Sequence, residues 1–418
     1  MVVDLRKKVG EAMKLGPLIK YYRTQKGLRQ KQLAVGICSI PHLSKIENNS
    51  KEANPETINL LLERLNIACE EIHEKETLIK EQLIELNEKI SYYFKNDAEI
   101  IFQNLQKWEE LIPFSSYLYT YELYKYRYLL FVGKLSEAAA QRDLLNKWKN
   151  NFSQQERYLF SYYNAVFWIM KGKYSKADLI LEDIFTDQNI EVTPGEVFYH
   201  RALVKSALEE SGHAIHFGKL ALQSFMNQHN FTRILHTLML LGINYTHSKI
   251  YEEALGCFNH LIRNAELLNG NTLLPQIYHN MGFLQKQMGQ LKKALFYFEK
   301  SLELQSEDTQ HYIITLYAYG DVLFMTEERE RARESFERLS DLATKTENKK
   351  YERLSRYFLM ALDSDMESIQ YLEQSVVPLL EESHEHREDL IGFYKRLAEH
   401  HKNMNNYEKA VYYMEKIK

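Results

Sequence analysis

Between Leu15 and Asn66 the apolar positions fall in four groups: Leu18, Ile19 and Tyr22; Leu33, Ala34 and Ile37; Leu43 and Ile46; and Ile58, Leu61, Leu62 and Leu65. Within each group the spacing is i, i+3 or i+4, which predicts four or five short helices. Each break has a physical cause. Gly27 and Gly36 stop the first two helices, Ser39 is placed to N-cap the third, and Asn54-Pro55 supplies an N-cap and a first-turn proline for the fourth. A helix over Gln30–Gly36, a tight Ile37-Cys38 turn and a helix opening at Ser39-Ile40-Pro41 form a helix-turn-helix layout, whose second helix enters the DNA major groove.

Beyond Pro113 the pattern becomes a repeat. A small residue is followed twelve positions later by Ala and four later by an apolar residue, with a Gly/Asn-x-Leu/Tyr-x-x-Ala turn between. The clearest copies run through Gly242, Ala254 and Phe258, through Gly282, Ala294 and Phe298, and through Gly320, Ala332 and Phe336. Weaker copies anchor at Ala138, Ala177, Ala214 and Ala410, and a degenerate one is expected near Ile369. Successive anchors at 138, 177, 214, 254, 294 and 332 lie 39, 37, 40, 40 and 38 residues apart. This is a tetratricopeptide pattern with helices or loops longer than the usual unit of about 34 residues. Its small residues let paired helices approach closely, so stacked hairpins share one core. Between the two patterns, Ile72, Leu78, Ile79, Leu83, Ile84, Leu86 and Ile90 keep helical spacing. They predict a long connecting helix that serves either as a dimer seam or as a cover on the first repeat.

The chain is therefore expected to be all-α, an N-terminal helix-turn-helix domain followed by a tetratricopeptide-repeat superhelical solenoid. The expected divisions are 1–67 for the DNA-binding domain, 68–111 for the linker helix and first hairpin, and 112–418 for the repeat domain. Low Gly and Pro usage, 16 and 7 residues of 418, disfavours turn-dense all-β folds. The overall charge of −4 hides an asymmetry. Residues 1–70 carry 12 Lys/Arg against 7 Asp/Glu, while the remaining 348 carry 41 against 50. A basic head on an acidic body suits a polyanion-binding module joined to one that avoids polyanions. Three cysteines without C-x-x-C spacing indicate neither a disulfide framework nor a thiolate metal site. Without a long apolar run or a signal-peptide core, a cytoplasmic protein that does not engage the membrane is expected. There is no Gly-rich phosphate loop, Gly-x-Ser-x-Gly or His-Glu-x-x-His, so no enzyme, cofactor, catalytic residue or metal ligand is expected. The pairs His213/His216, His384/His386 and His400/His401 read as solvated faces.

The segment from Arg23 through Gln30, Leu33-Ala34 and Ile37-Cys38-Ser39 to Leu43-Ser44, Ile46 and Glu47 resembles the Xre/434-repressor family of DNA-binding domains. That resemblance implies that Arg23 and Glu47 pair structurally and that Gln30 holds a phosphate. Ser39, Ile40, Pro41, His42 and Lys45 would face base edges, with Arg29, Lys31, Asn49 and Lys51 as phosphate contacts. The turn is one residue shorter than in the phage repressors. Ile40-Pro41 stands where polar readers are common, which points to thymine-methyl contact and shape readout.

An Xre-type head on a tetratricopeptide array resembles the RNPP family of peptide-pheromone quorum-sensing regulators. The Gly36-Ile37-Cys38-Ser39 turn and the chain length are most similar to its NprR branch. The resemblance implies a transcription regulator that binds double-stranded DNA as a homodimer or larger oligomer and is gated by a short signalling peptide in the groove of its repeats. Inward positions Arg127, Asn244, His279, Asn280, Tyr317 and Asp321 are then the peptide contacts, the asparagines meeting peptide backbone and Arg127 a peptide carboxylate. The alternative is a Rap-type scaffold whose array docks a sporulation phosphorelay response regulator.

Overall fold

The computed structural model describes residues 15–48, 54–67, 69–186, 195–267, 273–307, 309–383 and 387–417, and all of the regular structure among them is helical. Packing divides the chain into two compact units, 1–240 and 241–418.

The first unit begins with four short helices: α1 (Leu15–Gln25), α2 (Gln30–Ala34), α3 (Ile40–Glu47) and α4 (Pro55–Arg64). Gly27 and Gly36 adopt left-handed φ of +66° and +74° at the first two stops, conformations that a Cβ disfavours. Helix α2 ends two residues earlier than expected, because Val35 already leaves helical geometry. Ser39 Oγ accepts from His42 N at 3.3 Å, and Asn54 Oδ1 accepts from Glu56 N at 3.1 Å, so both expected caps form. Leu18, Ile19, Leu33, Leu43, Ile46, Leu61, Leu62 and Leu65 make a small core of their own, joined by Ile72 and backed by Leu111 and Phe114.

Next come α5 (Cys69–Ser91) and α6 (Lys95–Gln106), then the hairpins α7/α8 (Leu118–Phe131, Leu135–Trp148) and α9/α10 (Gln154–Met170, Tyr174–Thr186). The pair α11/α12 (Gly195–Ala207, Ser211–Asn227) follows, and α13 (Phe231–His247) closes this unit and opens the second. Much of the apolar stripe of α5 is spent inside the chain: Ile79, Leu83, Leu86 and Ile90 are buried with residues of α6 to α11, while Leu78 is exposed. The helix therefore covers the first repeat, and those four buried residues do not form a dimer seam.

The second unit continues with α14 (Tyr251–Leu267), α15/α16 (Leu274–Gln287, Leu291–Glu303) and α17/α18 (Gln310–Met325, Arg329–Lys345). Then follow α19 (Lys349–Asp363), α20 (Asp365–Tyr371) with a π-helical turn at Leu372–Val376 leading into α21 (Val377–Ser383), and α22/α23 (Arg387–Asn403, Tyr407–Glu415). Ile369, where the degenerate repeat was expected, is buried on α20.

All seven anchor alanines are buried. Five residues before each stands a left-handed turn residue: Gly133, Gly172, Glu209, Lys249, Gly289, Glu327 and Asn405. Where that residue is Glu or Lys, the fold tolerates roughly 1–2 kcal/mol of backbone cost, which the packing of the hairpin must offset. Gly242, Gly282 and Gly320 are small for a steric reason. A Cβ on them would sit 2.8, 2.7 and 3.0 Å from the rings of Phe258, Phe298 and Phe336.

Candidate functional site

Two constellations carry chemistry in the first unit, and a third line of polar residues lies in the second.

In the head, Arg23 on α1 reaches the last residue of α3. Its Nε and Nη2 donate to the two carboxylate oxygens of Glu47 at 2.6 and 3.0 Å, and Nη1 donates to Leu28 O at 2.8 Å. The Glu47 side chain is almost wholly buried, so this bidentate pair is desolvated and directional. It fixes α3 against α1. Gln30 is drawn into the same lock, its Nε2 donating to Glu47 Oε2 at 2.8 Å, which commits one of the amide hydrogens expected to serve a phosphate. Ser39, Ile40, Pro41 and Lys45 are exposed along α3 and its N-cap, and His42 is half-buried between them. Arg29 and Lys31 are exposed beside α2. Asn49 and Lys51 lie outside the described residues. Tyr21 closes the head onto the chain that follows: its hydroxyl donates to Glu110 at 2.5 Å and its ring lies 5.3 Å from Phe114. That bond, followed by burial, pushes the Tyr21 phenol up to about 12.

The second constellation lies inside the repeats of the first unit. Arg127 on α7, expected to meet a peptide carboxylate, pairs in this structure with the chain's own Glu196 on α11. Arg127 Nη2 lies 2.7 Å from Glu196 Oε2, and Arg233 Nη2 on α13 lies 2.5 Å from Glu196 Oε1. Burial by itself would raise the Glu196 carboxyl, but the two guanidiniums outweigh it and hold the group below its ordinary value. Arg127 also donates to Asn87 Oδ1 and, at 3.0 Å, to Ser91 Oγ, both on α5. Beside them, Tyr162 OH shares a 2.8 Å hydrogen bond with His200 Nδ1. Burial, then the charge of Arg233, pushes His200 down to about 4, and the same two causes push His236 down to about 4. Both imidazoles are therefore neutral at pH 7. Sequence reading singled out Arg127 alone. Glu196, Arg233, Asn87 and Ser91 belong to no motif and are far apart in the chain, so no local pattern marked them.

In the second unit, Asn244 on α13 is fully buried. His279 on α15 shares a 3.0 Å hydrogen bond with Thr315 Oγ1, and its ring packs against Phe298. Burial, then nearby His311, pushes His279 down to about 4. Asn280 Nδ2 donates to Gln276 O of its own helix at 2.8 Å. Tyr317 on α17 is buried against Tyr351 and Phe358, and Asp321 pairs with Lys286. Burial raises the Asp321 carboxyl, with Lys286 opposing. His279, Asn280 and Tyr317 are thus joined to neighbouring helices or to their own turn. At the far end of this unit, His401 departs from the solvated face expected of it: it is buried, stacked on Tyr413 and 3.4 Å from Glu373.

Among the described residues no helix is long and apolar enough to cross a membrane. A helix-turn-helix family model matches residues 19–72, and a tetratricopeptide repeat model matches 233–307 and 273–345. The chain is 24% identical over 298 residues to the transcriptional activator NprA of Geobacillus stearothermophilus, covering 68% of this chain and 71% of that protein. To the regulatory protein RapD of Bacillus subtilis (strain 168) it is 21% identical over 309 residues, covering 70% of this chain and 84% of that one. Among solved structures it resembles the apo form of the quorum sensor NprR from B. thuringiensis, with a TM-score of 0.68 and 23% identity over 81% of this chain and 97% of that chain. Its likeness to NprR in complex with its cognate peptide NprX has a TM-score of 0.61 and 25% identity over 81% and 98% of the two chains.

Proposed function

We propose, starting from its membership of the RNPP family as a homologue of NprR and the Rap proteins, that this chain is a cytoplasmic transcription regulator gated by a short signalling peptide. It binds operator DNA through α3. The observation that carries the reading is the head: Arg23 and Gln30 hold Glu47, so α3 is rigid against α1 while Ser39, Ile40, Pro41 and Lys45 remain on its outer side. A helix held in this way presents its N-terminal residues to the major groove. Arg29, Lys31, Asn49 and Lys51 serve as phosphate contacts, and Gln30 reaches a phosphate with its remaining amide hydrogen. Two heads act together on a palindromic site in a homodimer or larger assembly.

The array supplies the gate. Asn244, His279, Asn280, Tyr317 and Asp321 contact the peptide, its extended backbone being read by side-chain amides. Arg127 acts through Glu196 and needs no ligand carboxylate to be neutralised. The likeness to NprR bound to NprX supports a peptide of that kind.

Gel shift of genomic fragments by the full chain tests the first half of the reading. Lys45→Ala is expected to weaken binding in a sequence-dependent manner, and Lys51→Ala uniformly, with the salt slope falling by about one. A slope untouched by both rejects the docking. For the second half, peptides retained by the protein from its host's spent medium are identified by mass spectrometry and the recovered peptide is titrated. Asn280→Ala is expected to lose about 1–2 kcal/mol of its affinity. Likeness to response regulator aspartate phosphatase A of Bacillus subtilis (strain 168), 23% identical over 231 residues, favours a second reading, a scaffold that docks a response regulator. Its sign is co-purification of such a partner by a chain that shifts no DNA.

A further inference from the structure

Helix α5 belongs to two cores at once. Near its start, Ile72 is buried in the small core of the head. Along the rest of its length, Ile79, Leu83, Leu86 and Ile90 are buried in the core of the first repeats. Twenty-three residues make a rod of about 34 Å, so the two ends lie too far apart to share any direct contact.

Both ends are held by specific polar bonds. At the head end, Glu76 accepts from Ser116 N and Oγ at 3.1 and 2.7 Å, and Tyr21, Glu110 and Phe114 close the head on the segment just before it. At the far end, the Ser91 carbonyl is gripped from α13. Asn230 Nδ2 donates to it at 3.0 Å and Arg233 Nε at 3.4 Å, while Tyr92 OH donates to Gln228 O at 3.0 Å. A cation and an amide donor on the last carbonyls of a helix complement its negative end. The next residue, Tyr93, adopts a left-handed φ of +68°, a cost for a bulky side chain. Its ring is held by Arg233 at 5.0 Å, His236 at 5.0 Å and Phe131 at 5.1 Å. Arg233 is also one of the two guanidiniums on Glu196. The buried Arg127–Glu196–Arg233 network and the clamp on α5 are therefore one structure.

We infer that Asn230 and Arg233 are positioning residues for the DNA-binding head, acting through α5 as a strut anchored in both cores. The network sets where the far end of α5 sits, and Ile72 with Glu76 carries that setting to the head. This rests on the DNA-binding reading for its consequence, though the mechanical coupling can be measured without DNA.

Asn230→Asp is the discriminating variant. It keeps the side-chain oxygen that accepts from Arg233 N but removes the donor on Ser91 O. Hydrogen exchange of the full chain is expected to quicken about five- to tenfold, the scale of one lost hydrogen bond, along all of α5 and into the head segment around Tyr21. Affinity for a bound genomic fragment should fall by a similar factor. Arg233→Lys keeps a counter-charge for Glu196 and withdraws the Nε donor; it should act in the same direction and carries the test if Asn230→Asp does not fold. Faster exchange confined to 87–94 and 228–233 overturns the strut, as a purely local role predicts that outcome. A wild-type chain that shifts no DNA sinks the reading of the head, while the exchange pattern still decides the strut.

Discussion

The two units stack helices by different means. In the second, the contact positions of successive hairpins pair Gly242 with Phe258, Gly282 with Phe298 and Gly320 with Phe336. The corresponding positions in the first unit are Tyr126 with Arg142, Ala165 with Leu181 and Ala202 with Gly218. Size trades in four of these six pairs, where Phe meets no side chain and Leu181 meets a methyl group, whereas Ala202 with Gly218 is small on both sides and Tyr126 with Arg142 is large on both. Tyr126, at the edge of this series, is fully buried and stands near the Arg142 guanidinium. The second unit solves a packing problem with shape, which repeats. The first adds buried charges at Arg127, Glu196 and Arg233, the Tyr162 hydroxyl and the neutral His200 imidazole, which do not. The repeat family model accordingly matches 233–345 and not the hairpins before it.

Removing the carboxylate at the centre of the charged unit should have the largest effect. Glu196→Ala leaves two buried guanidiniums without a counter-ion and is expected to cost about 3–5 kcal/mol. Thermal melting followed by limited proteolysis should show the first unit opening before the second. Simultaneous loss of both units would erase the distinction between them.

Shape is tested next. Gly282→Ala places a methyl group against the Phe298 ring and should destabilise by about 1–3 kcal/mol. The double variant Gly282→Ala, Phe298→Leu copies the Ala165/Leu181 pair and should recover part of that loss in urea denaturation. A double variant less stable than either single one would refute the size trade.

Acid should sharpen the contrast further. His200 and His236 in the first unit and His279 in the second are pushed down to about 4. The unfolded chain binds protons below its ordinary histidine pKa of about 6.5 while the folded chain does not, so stability is full above that value and declines as pH falls from there toward 4. Urea midpoints at pH 7 and pH 5 should differ, and His200→Gln should narrow the difference. An unchanged gap would remove His200 from the account.

The smallest effect is expected at Asn280, a half-buried side chain whose amide donates to Gln276 O of its own helix. Asn280→Ala should cost about 0.5–1.5 kcal/mol of stability, the scale of one hydrogen bond, so that peptide affinity can be compared on a variant that stays folded. Asn244 offers no such separation, because it is fully buried and its truncation also leaves a void in the stack.

How much of this was legible in the chain follows from the range of each interaction. Helix stops at Gly27 and Gly36, the caps at Ser39 and Asn54, the turn residue five before each anchor alanine and the Gly–Ala–Phe spacing all act within one or two helical turns or one hairpin. Local sequence specifies them directly; the structure places the caps, the Gly27 stop and the Gly–Ala–Phe spacing as expected, but ends α2 two residues short of Gly36 and puts Glu209, Lys249 and Glu327 where the turn pattern called for Gly or Asn. The Arg23–Glu47 pair was accessible through a family resemblance, since 24 positions separate the two residues. The candidate peptide residues were readable as polar positions on first helices of hairpins; their partners Gln276, Lys286, Thr315 and Tyr351 were not.

Sequence alone therefore determined the helical hairpin, its period and the helix-turn-helix head, because hydrophobic spacing and turn chemistry are properties of neighbouring residues. Tertiary structure decided which charges neutralise each other and what α5 connects. Glu196 meets Arg127 across 69 positions, and Arg233 meets Ser91 across 142. Burial makes such pairings strong by removing the water that would otherwise screen them, and only the packed chain brings those side chains to one place.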